Sequence, residues 1–274
     1  FGREVSRTFQ FGDGATQVLS SAYTQADKLA RKTLRHEQAV LRDEQFTYDS
    51  RGRLCFYQCA GTQRPRDAQG KEIIQQAYVF DALDNILTLE TRFPGGTNLT
   101  TFEYSATDPT RLTAIRNSHK DYPAPVTLQY DDNGHLVEDE QGRRISYDAL
   151  GRLVRVAGTD KQVIRDFHYD ARDRLVELAQ PSGAATRRYY RNARQSNDLC
   201  GSSSRTSLAS ADVLLGLEHR GADVGTGLLG VDQQRSVLSE AWGTQRSPFA
   251  YSPYGHRAVQ AASFSAPGFS GEWL

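Results

Sequence analysis

The sequence predicts an all-β chain built of stacked hairpins, on three observations. A short template recurs, as QFTYDSRGRL ending at Leu54, TLQYDDNGHL ending at Leu136, RISYDALGRL ending at Leu153 and DFHYDARDRL ending at Leu175. Apolar and polar residues alternate on both sides of a polar turn in each copy, the period-two signature of a strand. Turn signals also return too often for helices to propagate, so strand should exceed about 45% of the ordered residues, with almost no helix longer than two turns.

The units follow one another from near the start of the chain. A loose copy, AYTQADKLARKTL, begins at Ala22, and the first full one carries Tyr48, Asp49 and Gly52. Weaker copies follow as YVFDALDNIL from Tyr78 and FEYSATDPTRL from Phe102. Three full copies then come in close order, with Tyr130, Asp131 and Gly134, with Tyr147, Asp148 and Gly151, and with Tyr169 and Asp170. RYYRNARQSN from Arg188 is the last weak copy. The anchor aromatics Tyr23, Tyr48, Phe80, Tyr104, Tyr130, Tyr147, Tyr169 and Tyr190 recur irregularly, at about two dozen residues.

In RISYDALGRLVRV, Ile145 and Tyr147 alternate with polar neighbours, Asp148 to Gly151 make the turn, and Leu153, Val154 and Val156 resume a strand. The aspartate can accept a hydrogen bond from its own backbone two residues on, and the glycine can take a positive φ without Cβ strain. Asn133-Gly134 is a strong hairpin dipeptide at the equivalent place. Where Asp84 or Asp173 fills the glycine slot, the aspartate must adopt the left-handed conformation at some cost. A lone hairpin cannot bury its apolar face, so the units must stack into a continuous sheet. The template tyrosines then read as buried structural anchors, Tyr147→Ala costing about 3 kcal/mol or more. The aspartates read as turn formers, since acid–base catalysis needs two differently tuned carboxylates and a repeat supplies many equivalent ones.

Composition narrows function further. Lys plus Arg and Asp plus Glu number 33 each in 274 residues, so no overall positive field draws the chain onto nucleic acid. No apolar run is long enough for a membrane-spanning helix. Cys55 and Cys59 on one strand would lie about 13 Å apart, too far to bridge, so the cysteines should remain thiols. No metal or cofactor motif emerges: the six histidines are scattered, and the glycine-rich tract from Gly216 to Gly230 lacks the phosphate-loop pattern. Residues 196–212 are serine-rich and read as a linker or mobile loop. The chain contains no Met and begins at Phe1, which predicts a piece of a longer protein.

The sequences YDSRGRL, YDDNGHL, YDALGRL and YDARDRL resemble the tyrosine-aspartate repeats of the RHS family. LLGVDQQRSVL at 228–238, then YSPYGHR at 251–257 and PGFSGEWL at 267–274, resemble in order the start of the RHS-associated core. On that resemblance residues 1–195 are repeats, 196–212 the linker or loop, and 213–274 the beginning of the core. Tyr251, Pro253, Tyr254, Gly255, Gly268, Phe269, Gly271 and Glu272 are its motif residues.

The resemblance implies part of a spiralling, hollow β-shell, made in the bacterial cytoplasm and then secreted or delivered to a target cell. Such a shell encloses a C-terminal toxin domain, as in type VI RHS effectors and the C component of insecticidal Tc complexes. The partners implied are the rest of the shell, the toxin, and a secretion spike, chaperone or Tc B component; nucleic acid is not among them. The family's self-cleaving segment lies beyond Leu274, so no catalytic residue, cofactor or metal is expected within these residues. The alternative is an adhesin-like module whose exposed tyrosines bind carbohydrate on a cell surface. Ring burial separates the two, since stacking on sugar needs tyrosine faces turned to solvent.

Overall fold

The structure is a computed structural model that describes residues 2–257, except 13, 211, 212, 222, 223 and 244. Over half of the described residues lie in 23 β-strands, and none is in a helix. Ten strands form the first sheet: β1 (Ser6–Gln10), β2 (Thr16–Tyr23), β3 (Leu29–His36), β4 (Ala39–Tyr48), β5 (Leu54–Ala60), β6 (Gln75–Phe80), β7 (Ile86–Phe93), β8 (Gly96–Tyr104), β9 (Leu112–Asn117) and β10 (Val126–Thr127). Thirteen form the second: β11 (Gln129–Tyr130), β12 (Leu136–Glu138), β13 (Arg144–Tyr147), β14 (Leu153–Ala157), β15 (Val163–Tyr169), β16 (Leu175–Ala179), β17 (Thr186–Arg191), β18 (Arg194–Cys200), β19 (Ser203–Ser210), β20 (Val213–Arg220), β21 (Gly225–Val231), β22 (Val237–Trp242) and β23 (Gln245–Pro248). Among the described residues every strand pairs antiparallel with a sequence neighbour, and the only break in the ladder falls at Leu128.

This strict nearest-neighbour order is what a hairpin repeat produces when no unit can bury its apolar face alone. One register irregularity recurs just before the template tyrosine, at Thr47/Tyr48, Ser146/Tyr147 and His168/Tyr169. A bulge there adds twist beside each turn.

The serine-rich stretch expected as a linker or loop is a hairpin instead, β18 and β19 joined through Gly201. Its threonines and serines suit a sheet with polar surroundings, and Asn197 Nδ2 donates to Thr206 Oγ1 across the strands at 2.7 Å.

The two sheets meet. β22 is buried along Val237, Leu238, Ser239 and Glu240, and Leu238 packs on Leu19 and Leu34 of the first sheet, with Phe9 and Leu41 around them. A second apolar cluster, Tyr57, Cys59 and Ile73 with Phe46 beside it, lies further along the first sheet.

Candidate functional site

The repeating turn is built the same way each time. At Asp148 the backbone N–H donates to the carbonyl of Arg152, and the N–H of Gly151 donates back to the carbonyl of Asp148. Asp148 Oδ1 accepts the backbone N–H groups of Leu150 and Arg152 at 2.9 and 3.0 Å, while Oδ2 accepts Arg152 Nε at 2.7 Å. Asp49 and Asp170 repeat this arrangement with Arg53 and Arg174. At Asp131 the arginine is replaced by His135. Gly52, Gly134 and Gly151 hold φ of 81, 84 and 76°, and Asp84 and Asp173 occupy the same left-handed slot at 70 and 61°. The slot therefore admits aspartate, as the sequence implied.

The electrostatics follow from this saturation. Side-chain bonding to Arg174, then the backbone N–H of Arg174, bring the Asp170 carboxyl down to about 2. Arg152 lowers Asp148 in the same way. At Asp131 the backbone N–H of His135 is the largest cause of the lowering. Carboxylates held ionised with their lone pairs engaged make poor proton donors or nucleophiles.

Each turn is also fastened to the next unit. Arg152 Nη1 donates to Asp173 Oδ1 at 2.6 Å, and its guanidinium lies 4.9 Å from the centre of the Tyr169 ring. Arg53 reaches Asp84 at 2.7 Å and covers Phe80 at 4.7 Å, and Arg174 covers Tyr190 at 5.0 Å. His135 stacks on Tyr147 at 4.6 Å.

The template tyrosine ties backward through its hydroxyl, a role the repeat did not announce. Tyr48, Tyr147, Tyr169 and Tyr190 donate to the carbonyls of Leu29, Leu136, Leu153 and Leu175 at 2.8–3.0 Å. Each acceptor is the first residue of the preceding strand. Tyr130 ends the first strand of its sheet and instead lies under the Arg111 guanidinium at 5.3 Å. Tyr48, Tyr130, Tyr147 and Tyr169 are half-buried rather than largely buried, because one ring face is covered by a cation or imidazole instead of a second layer of apolar side chains.

The first part of the core motif, residues 251–256, is built like another repeat unit. Ser252 takes the aspartate's place: its N–H donates to the carbonyl of His256, its Oγ accepts the His256 N–H at 3.1 Å, and Gly255 has φ of 89°. Tyr251 is 7% exposed and donates to the carbonyl of Val237, the first residue of β22, at 2.7 Å. Aligning YSPYGH with YDALGR would have exposed this equivalence. Tyr254, beyond Pro253, sets its ring edge-on to Tyr78 at 5.0 Å. Gly268, Phe269, Gly271 and Glu272 lie outside the described residues.

Where this tract meets the first sheet, charges unmarked by any motif are buried. Arg42, 2% exposed, pairs with Glu44 at 3.1 Å and donates Nη1 to the carbonyl of Phe249 at 3.1 Å. Lys32 bridges Glu44 and Asp232, and Tyr57 donates to Glu44 at 3.0 Å. A cavity of about 280 Å³ remains between Arg42, Glu44, Phe46 and Tyr48 on one side and Tyr251 to Tyr254 on the other. The three cysteines are free thiols, and burial pushes the Cys59 thiol up to about 11, leaving little reactive thiolate. Among the described residues no cluster of His, Cys, Asp and Glu is placed to hold a metal.

Residues 147–185, which hold the turns at Asp148 and Asp170, match the RHS Repeat family. That stretch of the chain is similar to an RHS repeat. The fold of the chain as a whole is similar to that found in solved structures containing TcdB2 and TccC3. It aligns with TcdB2-TccC3-Cdc42 at a TM-score of 0.60 and 15% identity, over 99% of its own length and 17% of the other chain. TcdB2-TccC3 without the hypervariable C-terminal region gives a TM-score of 0.60 and 14% identity, with 99% and 17% covered. A Photorhabdus luminescens Tc holotoxin pore carrying TccC3-D651A gives 0.55 and 14%, with 94% and 16% covered. The chain thus spans about a sixth of the length of the solved chains it matches. No curated protein sequence matches it.

Proposed function

We propose that this chain is a wall segment of an RHS toxin shell that encloses a C-terminal toxin domain until delivery. The observation that carries this reading is the two-way fastening of the units at Tyr48, Tyr147 and Tyr169, arginine forward and tyrosine hydroxyl backward, in a fold matched along nearly its whole length within TccC3-containing chains. Such a ribbon extends by adding units and resists opening at any one of them. The engaged turn aspartates favour a structural rather than an enzymatic role for these residues. Partners in this reading are the rest of the shell, its enclosed toxin and a Tc-type B component, and the assembled protein is secreted or delivered to a target cell. The half-covered tyrosine rings disfavour the sugar-binding alternative, because the face a sugar would stack on carries a cation. Electron microscopy of the whole parent protein tests the proposal. A hollow β-walled particle with density inside is the expected result; a solid or open-ended array would overturn it.

A further inference from the structure

The turn between β21 and β22 is built like the template turns but lacks their arginine. The backbone N–H of Asp232 donates to the carbonyl of Ser236, and Arg235 holds the left-handed slot at φ of 69°. Asp232 Oδ1 accepts the backbone N–H groups of Gln234 and Ser236, both at 2.9 Å. In the turns at Asp49, Asp148 and Asp170 the arginine four residues on takes Oδ2; here that residue is Ser236. Asp232 Oδ2 faces Lys32 instead, brought in on β3 from the other sheet.

Lys32 Nζ stands 3.5 Å from Asp232 Oδ2 and 3.7 Å from Glu44 Oε2, with no closer acceptor among the described residues. An ammonium hydrogen-bonded to a carboxylate settles at about 2.7–2.9 Å. Lys32 is therefore held between two carboxylates and bonded to neither. The side chains of Asp232, Glu44 and Lys32 are 3, 6 and 16% exposed, so little water solvates their charges. Ions withdrawn from water are costly, and joining an amine to a carboxyl as an amide removes both charges. Lys71 and Asp121 approach more closely, at 2.7 Å, but at 32 and 42% exposure they remain hydrated ions.

We propose that Lys32 and Asp232 condense to an isopeptide bond that ties β3 to the β21–β22 turn, with Glu44 moving the proton. Glu44 takes one proton from the Lys32 ammonium, and the free amine attacks Cγ of Asp232 to form the C–N bond. The two backbone N–H groups on Oδ1 steady the oxyanion of the tetrahedral centre. Oδ2 then leaves as water, its two protons coming from Glu44 and from the nitrogen, and Oδ1 stays as the amide oxygen. Ammonium and carboxylate thus become amide and water, with no oxidant or co-reactant. Glu44 ends ionised against Arg42, and the water departs into the cavity that Lys32 and Glu44 line. The bond needs only the contact between the two sheets, so it does not depend on the shell reading.

Tryptic digestion of the whole parent protein, followed by tandem mass spectrometry, tests it. The expected product is a branched peptide joining the segments around Lys32 and Asp232, lighter by one water than their sum and uncut after Lys32. It should be absent from Lys32→Arg, which keeps the charge but not the nucleophilic amine. Its yield at a fixed time after synthesis should fall at least about tenfold in Glu44→Gln and stay unchanged in Lys71→Arg. If circular dichroism shows that Glu44→Gln does not fold, the natural protein and Lys32→Arg decide alone. Only linear peptides from the folded natural protein, a branched peptide that survives Lys32→Arg, or a yield indifferent to a folded Glu44→Gln would overturn the proposal.

Discussion

At the residue scale the tyrosine hydroxyl and the turn carboxylate carry separable burdens. Tyr147→Phe removes only the bond to the Leu136 carbonyl and should lower stability by about 1 kcal/mol. Tyr147→Ala also removes the platform for His135; because the ring is half-buried, the loss should be about 2 kcal/mol, below the value for a fully buried tyrosine. Urea unfolding of the three proteins would resolve these steps. The turn aspartates set a pH dependence. Their native carboxyls lie below the unfolded value of about 3.9, so the stability they contribute is complete above that pH and is lost as pH falls through the native values, which for Asp170 is about 2. The urea midpoint should therefore drop between pH 5 and pH 2, and Asp170→Asn should begin lower at pH 5 and drop less.

At the element scale the hairpin was largely legible. Phase, turn position and the left-handed aspartates at 84 and 173 follow from the alternation in RISYDALGRL and its relatives, because all of these are local properties. The strands β18 and β19 were not legible, since serine, threonine and asparagine signal turns unless cross-strand partners hold them in a sheet. The Arg42–Glu44–Lys32–Asp232 group was invisible for a different reason: it forms only when segments about 200 residues apart meet, and nothing in either segment marks the other. Glycine offers a further test of the elements. Gly61, at φ of 110°, leaves space for a Cβ only 2.4 Å from the Leu41 carbonyl oxygen, so Gly61→Ala must displace main chain. Gly183, at φ of 105°, has nothing within 4 Å. Gly61→Ala should lower the melting temperature several degrees more than Gly183→Ala, at about 2 to 4 °C per kcal/mol for a chain of this size.

At the scale of the whole molecule, stability divides between the ribbon and the seat of β22 on the first sheet. Leu238→Ala empties the centre of that seat and should cost about 3 kcal/mol, with little change in the far-ultraviolet circular dichroism because the hairpins remain. Loss of the β signal together with the seat would contradict this division. The same seat gives the molecule an order of events in time. Hairpins pair residues close in sequence and can close in about 1–10 μs, but Arg7 and Val231 are separated by 224 positions and Arg42 and Phe249 by 207. Such distant partners must await the ribbon between them, and their closure entropy is recovered only when the contact forms. Refolding should accordingly proceed in two phases, a fast gain of β signal followed by slower burial of Leu238, and Leu238→Ala should abolish the second while sparing the first. During synthesis β1 to β4 would wait uncovered until β22 leaves the ribosome, which makes that interval the time of greatest exposure to wrong partners.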